Sequence, residues 1–464
     1  MTQLDTIVKG GTVVTAADTF KADIGIREGR IVQIADHLTE AAEIIDASGL
    51  LVLPGGIDSH VHIAQPSGPG VVQADDFESA TRAAAFGGHT TVLPFCLQQK
   101  GQTLRQALTW YHGLAEGQCY VDVSFHMIIT DPTPQVLGQD LPALVAEGYT
   151  SVKVFMTYEG MKLTDREILE TLEAAKASGA LVMVHAENDD AIEFLRDRAA
   201  VRGETAPKYH ATTRPIPAER EATHRAISLA EIIDMPIVIV HVSNGDAIEE
   251  IKAGRARGSK VFSETCPQYL VLTKDDLDLE GFDGAKYVCS PPPRDTASQD
   301  ACWQGLMDGT FDVFSSDHCP FRYEDSEGKK TPEGLKSFRW VPNGIPGVET
   351  SLPILFSEGV SKGRIDLQRF VALTSTNHAK MYGLYPKKGT IAIGSDADLV
   401  LWDPEREETI TQGNLHHGAD YTPFEGFAVT GWPVRTILRG TTVALDGNLR
   451  SKKGIGRYQK RGQL

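Results

Sequence analysis

Eight short apolar runs, near residues 57–62, 89–95, 121–129, 151–156, 181–186, 237–242, 259–264 and 311–316, constrain this chain more than any other feature. They are continuous rather than alternating, the pattern of strands covered on both faces of a parallel sheet. Between most of them lie stretches of helical character. From Asp165 to Lys176, Thr164 or Asp165 can cap the N-terminus and Gly179 closes the far end. From Glu219 to Ile233, the side chains of Ala222, Ala226, Leu229 and Ile233 share one face. Strands and helices alternating eight times predict an α/β fold, a (β/α)8 TIM-type barrel over residues 54–385, with its active site at the C-terminal ends of the strands.

The ends of the chain read differently. Thr6 to Val8, Gly11 to Val14, Asp23 to Ile26 and Ile31 to Ile34 are short strand-like segments broken by turns. Gly389 to Gly394, Ala397 to Trp402 and Val434 to Asp446 repeat that style. They predict a small β-sandwich domain composed of both termini, residues 1–53 plus 386–464. The tail from Arg450 to Leu464 is basic and polar, and reads as a solvated extension or an oligomer contact.

Chemistry enters where polar residues interrupt the apolar runs. The first run ends in His60-Val61-His62, and residues two apart in a strand point to the same face, so two imidazoles can meet one metal ion. His185 and His241 end two further runs, and Asp317 follows the eighth. Ionisable groups in such places are rare unless paired or metal-bound. A lone histidine there is more often a hydrogen-bonded core residue, but this set falls on strands one, five, six and eight and points into one cavity. Lys153 sits inside the fourth run. Its unremarkable reading is a salt bridge. Burial also favours the neutral amine, which can add carbon dioxide to give a carbamate able to bridge two divalent cations.

A net charge of −17 argues against nucleic acid or an anionic membrane as partner. No apolar run approaches the length of a spanning helix, and the first residues do not open a signal peptide. Six cysteines without a Cys-x-x-Cys pair are expected to be reduced, as in the cytoplasm, rather than a disulfide framework.

Together these residues resemble the amidohydrolase superfamily, specifically the dihydropyrimidinase and D-hydantoinase branch of cyclic amidases. The likeness covers nearly the whole chain. It rests on Gly55 to His62, Val152 to Tyr158, Val184 to Asn188, His241-Val242-Ser243, Cys289 to Arg294, Ser316 to Phe321 and Asn343 to Glu349. It implies that His60, His62, Lys153 and Asp317 hold one metal, and that Lys153, as N6-carboxylysine, bridges to a second completed by His185 and His241. Zinc is the implied metal, and the ligand types also suit Mn2+ or Co2+. Tyr158, Ser290 and Asn343 match the substrate-contact positions. The implied reaction opens cyclic ureides, such as 5,6-dihydropyrimidines and 5-monosubstituted hydantoins, to N-carbamoyl amino acids. A hydroxide between the metals attacks, Asp317 acts as base and then acid, and Tyr158 stabilises the oxyanion. A homotetramer is implied as well.

The loop Ile63 to Gln73 departs from the family pattern. It is polar and glycine-rich where relatives often place bulkier apolar groups near the exocyclic substituent, so a small or polar substituent is expected. Residues 96–102 and 157–163 are the other expected gates. Other cyclic amidases (allantoinase, imidase, dihydroorotase) share the metal frame. The stretch Ile63-Ala64-Gln65-Pro66, without the arginine of dihydroorotase-like enzymes, and Tyr158 favour the hydantoinase type. A non-catalytic scaffold of the collapsin response mediator kind would have lost ligands, and all six positions are filled here. A lactonase on the same barrel would be separated by its substrate.

Overall fold

The computed structural model describes residues 3–463. Each apolar run contributes to one parallel sheet: Gly56–Val61, His89–Leu97, Asp122–Val123 with His126–Ile128, Ser151–Phe155, Leu181–His185, Ile237–Ile239, Val261–Thr265 and Val313–Phe314. Neighbouring strands pair in parallel from the first to the eighth. The ring closes through a bridge between Val61 and His318, with the His62 amide donating to the His318 carbonyl at 2.7 Å. Helices cover the outside. The segment Asp165–Ser178 is capped as expected, Thr164 Oγ1 accepting from the Glu167 amide and Gly179 ending it at φ 77°. The second expected helix runs Ile216–Ile233.

Strands six and eight stop three and two residues short of the ends of their apolar runs. The backbone leaves the ladder there because His241 (φ 41°) and Asp317 (φ 51°) adopt left-handed conformations that no strand accommodates.

The terminal segments form two sheets, one ordered Arg30–Ala35, Asp23–Arg27, Leu4–Lys9, Ala41–Asp46 and one running from Asn448–Leu449 through Ala428–Leu438 and Leu399–Thr409 to Leu51–Pro54, Thr12–Val14 and Thr19–Lys21. Val8, Ile24 and Ile45 of the first pack with Val52, Leu401 and Ile437 of the second, which makes a β-sandwich core. Gly389 to Gly394 is not the expected strand. Its glycines at 389 and 394 have φ of 82° and 96°, and the few residues between them form a turn that drops Ile391 into this core.

The C-terminal tail is a second correction, because it is not a solvated extension. Gly454 and Gly456 both donate to the Cys119 carbonyl at 3.0 Å, and Gln459 donates to the Val123 carbonyl at 2.7 Å. Arg461 is buried with its guanidinium on Ser151 Oγ and the Phe125 carbonyl. The tail thus lies across the N-terminal end of the barrel, opposite the site. Its glycines permit the approach: a Cβ on Gly456 would sit 2.0 Å from the Val121 carbonyl. All six cysteines are unpaired, and no helix among the described residues is long and apolar enough to cross a membrane.

Candidate metal centre and active site

Five barrel strands deliver six side chains to one point. His60 Nε2 lies 3.2 Å from Asp317 Oδ1 and 3.1 Å from Lys153 Nζ, and His62 Nε2 lies 3.5 Å from the same Asp317 oxygen. On the other side His185 Nδ1 and His241 Nε2 are 2.8 Å apart, and the His241 ring is 5.3 Å from that of His60. The residues singled out in the sequence are all here, at the C-terminal mouth of the barrel.

Hydrogen bonds behind the ring set how the imidazoles face. Glu264 Oε1 accepts from His60 Nδ1 at 2.6 Å, Gln65 Oε1 from His62 Nδ1 at 2.6 Å, and Glu187 Oε2 from His185 Nε2 at 2.7 Å. With those protons fixed outward, His60 Nε2, His62 Nε2 and His185 Nδ1 present lone pairs to the cavity. Burial, reinforced by the charge of Lys153, keeps His60 well below its ordinary pKa, burial does the same for His241, and burial lowers His185 against the opposing pull of Glu187. Neutral imidazole is the ligating form. Burial also lowers the Lys153 amine to about 8. Burial would raise Asp317, but His60, His62 and Lys153 hold its carboxyl below the usual range, so it stands ionised. Lone-pair nitrogens, one carboxylate and a lysine amine near neutrality fit divalent cations of the zinc, manganese or cobalt type. His60, His62 and Asp317 place their ligand atoms within 4.8 Å of one another.

Tyr158 stands over this cluster, its ring 5.3 Å from that of His185, in a left-handed turn at φ 77°. Such a conformation costs a bulky residue about 1–3 kcal/mol and survives only where its surroundings impose it. Asp189 does so, accepting from the Tyr158 amide at 3.1 Å and from Thr157 Oγ1 at 2.9 Å while pairing with Lys162. Burial raises the Tyr158 hydroxyl, and Arg214 beneath the ring, with Ser290 and Asn343, acts the other way. Tyr158, Ser290 and Asn343 line the same cavity of about 1100 Å3 as the six ligand-type residues. Its outer wall holds Gln65, Pro66, Ser67 and Gln73 from the polar loop, Leu97 and Gln99 from the second gate, and Glu159 and Met161 from the third.

Sequence reasoning passed over Glu264, Glu187, Arg214 and Gln65. Glu264 carried a weaker signal than Lys153, because it stands between Ser263 and Thr265 at the end of a seventh run that is already part polar. It is fully buried, accepts from His60 and from the His241 amide (3.1 Å), and receives the Ser315 hydroxyl at 2.8 Å. Glu187 lies inside a quoted motif, but its buried ion pair with Arg214 at 2.6 Å spans 27 residues and leaves no local mark.

Known proteins resemble this chain in sequence and fold. Residues 51–443 match the amidohydrolase family. The D-hydantoinase of Geobacillus stearothermophilus is 48% identical over 460 residues, 98% of this chain and 96% of that protein. The D-hydantoinase of Rhizobium radiobacter is 45% identical over 459 residues, 99% of each. The crystal structure of the dihydropyrimidinase from Brevibacillus agri NCHU1002 superposes with a TM-score of 0.96 at 44% identity, covering 99% of both chains.

Proposed function

Because the chain belongs to the amidohydrolase family, we propose that it hydrolyses cyclic ureides, opening 5,6-dihydropyrimidines and 5-monosubstituted hydantoins to N-carbamoyl amino acids. The observation that carries this reading is the convergence of six ligand-type side chains in one cavity that Tyr158, Ser290 and Asn343 also line.

His60, His62, Lys153 and Asp317 would hold one divalent ion, and Lys153, His185 and His241 a second. Lys153 is suited to bridging once its amine nitrogen has bonded to carbon dioxide and released a proton, which gives a carbamate with two donor oxygens. Bound zinc would supply Lewis-acid polarisation of the ring carbonyl and a water acidic enough to attack near neutral pH. Asp317, ionised and aimed into the cavity, takes the proton of the attacking water and returns it to the departing ring nitrogen as the C–N bond breaks. Tyr158 donates its hydroxyl hydrogen to the carbonyl oxygen as that oxygen gains negative charge. Ser290 and Asn343 hold the ring's N–H and C=O groups. Gln65, Ser67 and Gln73 on the outer wall favour a small or polar substituent. A reducing, cytoplasmic setting and a homotetramer belong to the same reading, the former supported by six free cysteines.

The test is ring opening by protein loaded with zinc in bicarbonate, on dihydrouracil, several 5-monosubstituted hydantoins, succinimide, allantoin and dihydroorotate. Turnover of dihydrouracil or hydantoins is expected, fastest with small or polar substituents. Activity confined to the last three overturns the substrate class, and silence from protein carrying two metals per chain overturns the reaction.

A further inference from the structure

Lys329 is wholly buried in the long excursion after the eighth strand, and none of the catalytic steps uses it. Its ammonium donates to the Val288 carbonyl at 2.9 Å and to the Pro342 carbonyl at 2.6 Å. No carboxylate pairs with it among the described residues, and the groups that face it are the Cys289 and Cys319 thiols and, at 5.8 Å, the Phe321 ring. A lysine buried without a counterion is costly to keep. The two carbonyls it joins are not arbitrary. Val288 lies two residues before Ser290, and Pro342 immediately precedes Asn343. The same Val288 carbonyl accepts the Gly344 amide at 3.0 Å, so the two segments touch at the point where the ammonium spans them. The lysine's own backbone is anchored by its amide on the Arg322 carbonyl at 2.7 Å, in a turn so tight that a Cβ on Gly328 would fall 2.0 Å from that carbonyl.

We propose that Lys329 is a positioning residue for substrate: by bridging the Val288 and Pro342 carbonyls it fixes the separation of the segments that carry Ser290 and Asn343, and so sets how tightly the ring is held. This rests on the ring-binding role given to those two residues above. The ammonium's hydrogen bonds go to those two carbonyls and to none of the six ligand-type side chains, so metal loading should survive its removal.

Lys329→Met keeps the volume and removes the donors, and Lys329→Gln keeps a shorter N–H donor. Both are assayed against hydantoin and dihydrouracil, with metal content measured on the same samples and folding checked by thermal unfolding. In the Met variant the Michaelis constant should rise about tenfold or more with kcat within about threefold, the signature of lost uniform binding. Two metals per chain should remain, and the Gln variant should fall between. A folded Met variant with a Michaelis constant within twofold of the parent overturns the proposal. So does loss of kcat together with metal, and so does failure of both variants to fold, which would make Lys329 a folding residue. A parent protein that opens neither ring overturns the functional reading instead.

Discussion

The junction between barrel and sandwich offers a stability test independent of catalysis. Lys388 is buried with its ammonium among three carboxylates, pairing with Asp122 and Asp398 and lying 3.0 Å from Asp396. Asp122 belongs to barrel strand three, Asp396 and Asp398 to the sandwich, and Arg439, also paired with Asp122, to the turn after strand Ala428–Leu438. The tail joins in through the Arg457 amide on Asp122 at 2.8 Å. Lys388→Met leaves three buried carboxylates with the Arg439 guanidinium on Asp122 and the half-exposed Arg30 guanidinium 4.0 Å from Asp396. Breaking a buried ionic contact from one side costs about 3–5 kcal/mol. Unfolding entropy of about 2.1 cal/mol/K per residue gives about 1 kcal/mol/K for 464 residues unfolding together, so the midpoint should fall about 3–5 °C. The sign of the pH dependence follows from Asp398, whose carboxyl burial already raises while Lys388 opposes the rise. Without the lysine its folded pKa climbs further above the unfolded value. A carboxylate raised in this way loses stability as pH rises through that window. The deficit should therefore be larger at pH 8 than at pH 5.5, and Lys388→Met with Asp398→Asn should recover part of it. Differential scanning calorimetry at a fixed scan rate reads all three. A midpoint unchanged within about 1 °C of the parent, a deficit independent of pH, or a double variant worse than the single would refute the argument.

Two predictions concern the site. Glu264→Gln removes the charge that fixes the outward proton of His60 and also accepts the His241 amide, so metal affinity should weaken about 10–100-fold, read by competition with a chromophoric chelator. Unchanged affinity would reduce Glu264 to a packing residue. Tyr158→Phe should lower kcat about 100–1000-fold with little change in the Michaelis constant, since the hydroxyl is asked to act only on the developing oxyanion. Stopped-time assays on hydantoin suffice, and full turnover by the variant would remove that role.

What was legible in the chain, and what was not, follows from how burial writes itself into sequence. Lys153, His185 and His241 could be found because each is the wrong kind of residue in a run that is otherwise Val, Ile, Leu, Met and Phe, and His60 and Asp317 because they close strand-like segments in register with those three; a buried charge in an apolar strand is costly, and its presence asks for a partner. The same contrast made the barrel readable, since strands covered on both faces have no polar alternation to confuse them. It failed for Glu264, which is flanked by Ser263 and Thr265 and so shows no contrast with its neighbours although all three are buried. It had no purchase on Lys329 or Lys388. Both sit in irregular segments where lysines are ordinary, and nothing local distinguishes a solvated one from one wholly enclosed. One partner of each, Val288 and Asp122, lies 41 and 266 residues away. The tail went unread for a related reason: Arg461 reaches its acceptor across 310 residues, and the basic character that suggested solvent supplies donors for carbonyls at the barrel's end. Pattern thus reports where a side chain's environment is apolar, while the partner that makes a buried charge tolerable is a property of the closed fold. Strand-borne chemistry can be read in advance on those terms. The loop-borne lysines that brace it become visible only when the chain has closed around them.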